Sequence, residues 1–144
     1  MNNEISFSVH FENNRKLIEE ELKKALEKCL YAIGVTSVAK VVEYMSKPDF
    51  TGKDIVDTGR LRASISFITP ERESGPNSTE ATIADTLTGR SPELTVYIGS
   101  NVEYADYVNN GTSKQPARQF LQNGINLAYP EFEKLIEEIL KGDI

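Results

Sequence analysis

The sequence predicts an α+β fold in which a long N-terminal helix and a C-terminal helix pack a small, largely antiparallel sheet. Three patterns carry that expectation. Apolar residues recur at steps of mostly three or four from Leu17 to Met45, and again from Leu121 to Ile139, the mark of helices with one buried face. Between them Leu94, Val96 and Ile98 alternate with Thr95 and Tyr97, as a half-buried strand does. At 144 residues the expectation is a single domain over 1–144, large enough to bury a core without disulfides or metals.

The elements follow in chain order. Ile5, Phe7, Val9 and Phe11 alternate with Ser6, Ser8 and His10, predicting a first strand with His10 on its polar face. Asn13 or Asn14 can cap the helix that follows, expected over about residues 13–46 with a possible bend near Gly34. Its stripe Leu17, Ile18, Leu22, Ala25, Leu26, Cys29, Leu30 and Ile33 backs onto Glu19, Glu20, Lys23, Lys24, Glu27 and Lys28, a solvated charged face. Pro48 ends the helix. Asp57 is a good N-cap for a short turn through Arg62, and Leu61, Ala63, Ile65 and Phe67 alternate into a strand reaching about Thr69.

From Pro70 to Pro92 the chain turns polar, and segment 70–92 is expected to be a mobile loop or a hairpin arm, with a weak strand near Ala81 to Ala84. After the strand at Leu94 to Ile98, a short helix from Glu103 to Asn109 presents Tyr104, Tyr107 and Val108 and stops at Asn110-Gly111. The last helix opens near Pro116. Its seam reads Leu121, Ile125, Ala128, Phe132, Leu135 and Ile139, and Pro130 is expected to kink or restart it.

Composition narrows the chemistry. The net charge of -6 argues against a surface that grips nucleic-acid phosphates. Arg60, Arg62 and Lys53 suit salt bridges or a subunit contact better than DNA. The start of the chain lacks the pattern of a secretory leader, and no run is long and apolar enough to span a membrane; manufacture and action in the cytoplasm are expected. Cys29 is the only cysteine and falls in an apolar helical stripe, which favours packing over reactivity. His10 is the only histidine and has no neighbour in sequence to orient it as a base. No cofactor or metal is expected, and no phosphate loop is present. A carboxylate-dependent hydrolase or nuclease built on Asp57, Glu103 and Asp106 stays open as a minor reading, as does a small adaptor module. Tyr104 and Tyr107 sit at helical spacing, which favours packing over base stacking.

Three blocks occur in order: Val56-Asp57-Thr58-Gly59-Arg60-Leu61-Arg62-Ala63-Ser64-Ile65; Val96-Tyr97-Ile98-Gly99-Ser100 with Val102-Glu103-Tyr104-Ala105-Asp106-Tyr107-Val108; and Gly111-Thr112 followed by Phe120-Leu121. In order and spacing they resemble the gene-product-ten-like family of phage neck and tail-completion proteins. The chain departs from that pattern at Asn109, where the family usually has Glu, and at Gln119, where Pro usually precedes Phe-Leu.

The resemblance implies a non-enzymatic virion protein of a long-tailed phage or prophage that joins or completes head and tail. It implies a ring of copies on the virion, an arrangement compatible with a monomer in isolation. It also implies neighbouring neck and tail proteins as partners, DNA at most passing through a lumen, and synthesis in the host bacterial cytoplasm. The residues it marks as structural motif and interface are Asp57, Thr58, Gly59, Arg60, Leu61, Arg62, Tyr104, Tyr107, Gly111, Thr112, Phe120 and Leu121. Read physically, Asp57 caps, Gly59 permits a close approach, Leu61 anchors inward and Gly111 supplies a turn with positive φ. Tyr104 and Tyr107 are expected to pack that corner against Phe120 and Leu121.

Overall fold

A computed structural model describes residues 15–47 and 58–142. The strand expected at Ile5 to Phe11, His10, the caps Asn13 and Asn14, Lys53, Asp57 and the side chain of Thr58 lie outside the described residues. Among the described residues, four helices and a two-stranded sheet make up an α+β fold. They are α1 (Arg15–Met45), α2 (Thr58–Ser64), β1 (Ser66–Ile68), β2 (Tyr97–Gly99), α3 (Ala105–Asn110) and α4 (Phe120–Leu140).

The two long helices form the frame. α1 runs unbroken through Gly34, because the missing side chain there is filled by Phe67: a Cβ on Gly34 would lie 2.5 Å from Phe67 Cγ. α4 likewise continues through Pro130 as one element. The helices lie antiparallel. Gly124, early in α4, meets Val41, late in α1, and Asn123 Nδ2 donates to Tyr44 Oη at 3.0 Å. Further along, Lys40 Nζ pairs with Glu131 Oε2 at 3.4 Å. A Cβ on Gly124 would lie 2.5 Å from Val41 Cα, so glycine sets how closely the two backbones approach.

That contact shifts the first two turns of the α4 seam by one residue from the apolar pattern, while Ala128 and Ile139 keep their expected places. Phe120, Gly124, Ala128 and Ile139 are the buried positions, and Leu121 and Ile125 are only half-buried against the core. The core itself joins Val41 and Met45 of α1, Leu61 and Ile65, Val102 and Val108, and Phe120.

β1 and β2 pair antiparallel with Ser66 opposite Gly99, Phe67 opposite Ile98 and Ile68 opposite Tyr97. Several local boundaries differ from the sequence expectation, and α4 opens at Phe120 instead of near Pro116. α2 continues to Ser64 instead of yielding to strand after Arg62, and Ser64 Oγ donates to Leu61 O at 2.6 Å. β2 starts three residues after Leu94, which takes φ 57° and so cannot continue an extended strand. In place of the weak strand expected near Ala81 to Ala84 there is a 3-10 turn over Ile83–Asp85.

Segment 70–92 is laid on the sheet and α2 by hydrogen bonds, in keeping with its shortage of apolar side chains. Ser74 N donates to Phe67 O at 2.9 Å, and Thr69 N to Arg72 O at 2.9 Å. Asn77 Nδ2 donates to Arg62 O at 2.7 Å and Ile65 O at 3.0 Å, and Leu87 N donates to Ser66 Oγ at 2.9 Å. Thr69 Oγ1 donates to Glu27 Oε2 at 2.7 Å, which ties the end of β1 to α1.

Candidate functional site

Two constellations gather the residues singled out in the sequence. The first centres on Arg60. The first turn of α2 directs its guanidinium toward Asp85 in the 3-10 turn and Glu103 just before α3. Nη2 donates to Asp85 Oδ1 at 2.7 Å, while Nη1 and Nη2 reach the two Glu103 oxygens at 3.0 and 3.1 Å. This two-pronged grip fits the planar fork of arginine and could not be reproduced by lysine. The guanidinium carbon also lies 5.8 Å from the Tyr104 ring centre, within cation–π range.

Asp85 is held from several sides. Its Oδ2 accepts from Thr82 N at 3.0 Å and Thr82 Oγ1 at 3.4 Å. Its carbonyl accepts from Asn101 N at 2.9 Å. The Arg60 hydrogen bond, helped by the Thr82 backbone, holds its carboxyl down at about 2. Glu103 is lowered mainly by the same Arg60 hydrogen bond, and Arg60 is raised chiefly by Asp85 and then Glu103. The Asp85 side chain is 11% exposed against 72% for Glu103, so the Asp85 arm is the structural one and the Glu103 arm is screened by water.

Arg60 therefore pins the middle of segment 70–92 to both α2 and the approach to α3. Next to it, a Cβ on Gly59 would meet the Glu80 carboxylate, the far end of an exposed side chain that can swing aside. Arg62 points elsewhere and donates from Nη1 to Ser46 Oγ at 3.3 Å, beyond the end of α1.

The second constellation is the turn from α3 into α4. Gly111 takes φ 78° and its N–H donates to Tyr107 O at 2.9 Å. A Cβ there would lie 2.6 Å from Ala117 N. Asn109 is buried; its carbonyl accepts from Gln119 N at 2.9 Å and its Oδ1 from Leu121 N at 3.1 Å. Asn109 thereby satisfies donors at the start of α4 that the helix cannot satisfy itself. Thr112 Oγ1 accepts from the N–H groups of Lys114 and Gln115 and stays on the surface.

The structure sorts the predicted residues unequally. Leu61 and Phe120 are fully buried, and Tyr104 and Leu121 pack against the same cluster. Tyr107 differs from expectation: it is 56% exposed and does not pack the corner, because the single turn of α3 buries Val108 and Asn109 on its inner side instead. Of the candidate catalytic carboxylates, Glu103 is engaged by Arg60 and Asp106 accepts from Asn110 Nδ2. Asp85 was missed by sequence reasoning. The spacing Thr82-x-x-Asp85 is a local capping signature and could have exposed it.

Among the described residues no cluster of His, Cys, Asp or Glu could hold a metal ion, and no helix is long and apolar enough to cross a membrane. No curated protein and no solved structure matches the chain. Residues 11–111 match the family described as "Bacteriophage HK97-gp10, putative tail-component", a span that holds α1 to α3, the sheet and the Arg60 clamp. The chain belongs to the HK97 gp10-like family of phage tail components.

Proposed function

We propose that the protein is a non-enzymatic structural component of a long-tailed phage or prophage, completing the tail or joining it to the head at the neck. The family match over residues 11–111 carries this reading. In it, copies form a ring on the virion axis through a heterologous interface whose rotation closes, and other neck and tail proteins flank the ring. The protein is made in the host bacterial cytoplasm and ends in the virion. DNA at most passes through a lumen, and a net charge of -6 favours passage over adhesion.

The motif residues divide between two tasks in this reading. Leu61, Phe120, Gly59 and Gly111 shape the subunit, with Thr58 opening α2. Tyr107 and Thr112 face outward, Ile83, 67% exposed, lies in the turn that Arg60 braces, and Leu94 is 63% exposed. Such apolar side chains on a braced surface suit burial by a neighbouring protein. Single adaptor-like partnership is the competing arrangement; it would give a one-to-one complex with a small protein and no self-assembly.

Deleting the gene from its phage or prophage tests the reading. Negative-stain electron microscopy is expected to show filled heads and separate tails, and a plasmid copy should restore joined, infectious particles. Joined and infectious particles without the gene would overturn it.

A further inference from the structure

Two unlike surfaces stand on opposite sides of the α1 and α4 pair. The first is an apolar groove beside α1. Val35, Val38, Ala39 and Val42 of α1 line it on one side, and Phe67 and Pro76 on the other, around a cavity of about 470 Å³. Hydrogen bonds hold the side opposite α1: Ser74 N donates to Phe67 O at 2.9 Å, and Asn77 Nδ2 to Arg62 O at 2.7 Å. An arginine stands at each end. Arg62 Nη1 reaches the Ser46 hydroxyl at 3.3 Å, and Arg72 lies 4.7 Å from the centre of the Tyr31 ring. Both of these partners are neutral, so neither cancels a guanidinium charge.

The second surface is a ridge on α4. Tyr129, Phe132, Ile136 and Leu140 recur at steps of three and four, which sets them along one face of the helix. Tyr129 and Leu140 are 71% and 52% exposed, and the Tyr129 ring stands edge-on to Phe132 at 5.7 Å. The exposed carboxylates Glu133 and Glu137 edge the stripe. Glu137 also holds Lys141 at 3.3 Å, which leaves Glu133 the stronger attractor.

We propose that the ridge of one copy docks in the groove of the next. This rests on the ring reading and supplies its contact.

Placement, length and charge agree on a second copy as the occupant. On α1, Val41 meets Gly124 of α4, and at about 100° per residue Ala39 lies roughly 160° round from Val41. On α4, Tyr129, Ile136 and Leu140 lie roughly 120 to 160° round from Gly124. A chain's own ridge therefore points away from its own groove. Each copy can give its ridge to one neighbour and take the ridge of another, which is a heterologous contact.

Tyr31 to Ser46 spans roughly 22 Å of α1, and Tyr129 to Leu140 roughly 16 Å of α4, so the ridge fits between the two arginines. Glu133 and Glu137 are roughly 6 Å apart along the helix; seated midway, each comes within roughly 8 Å of an arginine, about one Debye length in physiological salt. Because the groove is already braced, little ordering opposes burial of Tyr129 and Leu140 in it.

Cross-linking in particles tests the contact. In a Cys29→Ala background, Ala39→Cys marks the middle of the groove and Ile136→Cys the middle of the ridge, so the two meet whichever way the docked helix runs. A short bismaleimide on particles carrying both changes is expected to give a ladder of covalent oligomers, and each single variant to stay monomeric. Parent particles treated with an amine-reactive cross-linker report the ring separately. A ladder there and none from the double variant would overturn the docking and leave the ring standing; no ladder from either removes the ring reading and the docking with it. A covalent dimer from Ala39→Cys alone would mean that two grooves meet, and a product joined to a different protein would give the groove to a tail neighbour; either result overturns the proposal. Charge exchange is the second measurement. Arg62→Glu with Arg72→Glu, or Glu133→Arg with Glu137→Arg, is expected to cut incorporation of folded protein into particles about 10-fold, and all four together to restore it. A four-site variant that folds and incorporates no better than either pair would also overturn the docking.

Discussion

Replacing Gln119 by proline, the residue the family usually places before Phe-Leu, is expected to destabilise this protein. Gln119 takes φ 45° and ψ 43° at the start of α4, and its N–H donates to the carbonyl of buried Asn109 at 2.9 Å. Proline has no N–H and holds φ near -65°, so the backbone would have to turn by roughly 110°. The lost bond costs about 1 kcal/mol, and leaving the Asn109 carbonyl unpaired adds about 1 to 2 kcal/mol. The same turn drags Leu121 N from Asn109 Oδ1. A total near 3 kcal/mol lowers the midpoint of thermal unfolding by roughly 10 °C for a chain of this size. Gln119→Gly keeps the positive φ and relieves the strain of a side chain there, so it is expected to leave stability unchanged or raise it by up to about 1 kcal/mol. Circular dichroism melts and urea titrations of both variants decide the matter. A proline variant as stable as the parent would refute the left-handed entry into α4 and the role of Asn109 in it.

Gly124→Ala should cost about 1 to 2 kcal/mol in urea unfolding, because pushing α1 away from α4 outweighs the gain of about 1 kcal/mol in helix propensity; a more stable variant would show that the helices do not touch there. Asn77→Ala removes two hydrogen bonds to α2 and its exit and should cost about 2 kcal/mol while speeding amide exchange through segment 70–92. Asp85 has its pKa lowered to about 2, against an unfolded value of about 3.9. Its contribution is therefore full above about pH 4 and is lost as pH falls toward 2; Arg60→Met should flatten that acid limb, and unchanged acid melts would refute the clamp. Burial pushes the Cys29 thiol up, so a thiol reagent should leave the folded protein untouched at pH 7 and label one site in denaturant.

How much could be read beforehand depended on the kind of force involved. The frame was legible because two long apolar stripes report burial directly, and α1 and α4 lie where those stripes run. The shifted start of the α4 seam was not, since Gly124 is buried by close backbone approach to Val41, which hydrophobic periodicity cannot register. Leu94 illustrates the opposite failure. Its apolar side chain continues the alternation, yet its positive φ breaks the strand and leaves it exposed. Asp57, Arg60 and Leu61 drew attention as a motif, but the partner that gives Arg60 its task lies 25 residues on, at Asp85. Long-range ion pairs leave no local pattern; only the Thr82 spacing hinted that Asp85 had a fixed place.

Segment 70–92 shows why polarity alone is a poor guide to what a loop does. Few of its side chains can pay for ordering by burial, so a polar stretch must gain its order from hydrogen bonds or have none. Here the bonds run to backbone groups of β1 and α2, the segment's own Asp85 is gripped by Arg60 of α2, and Thr69 just before the segment bonds Glu27 of α1. The exposed Ile83 therefore sits within a turn whose last residue is gripped by Arg60. A surface held this way loses little entropy when a neighbour covers it, which is the condition for an apolar contact to strengthen assembly. If Arg60→Met weakens incorporation into particles more than it lowers the melting point, the clamp serves the interface as well as the fold; if both fall together, it serves the fold alone.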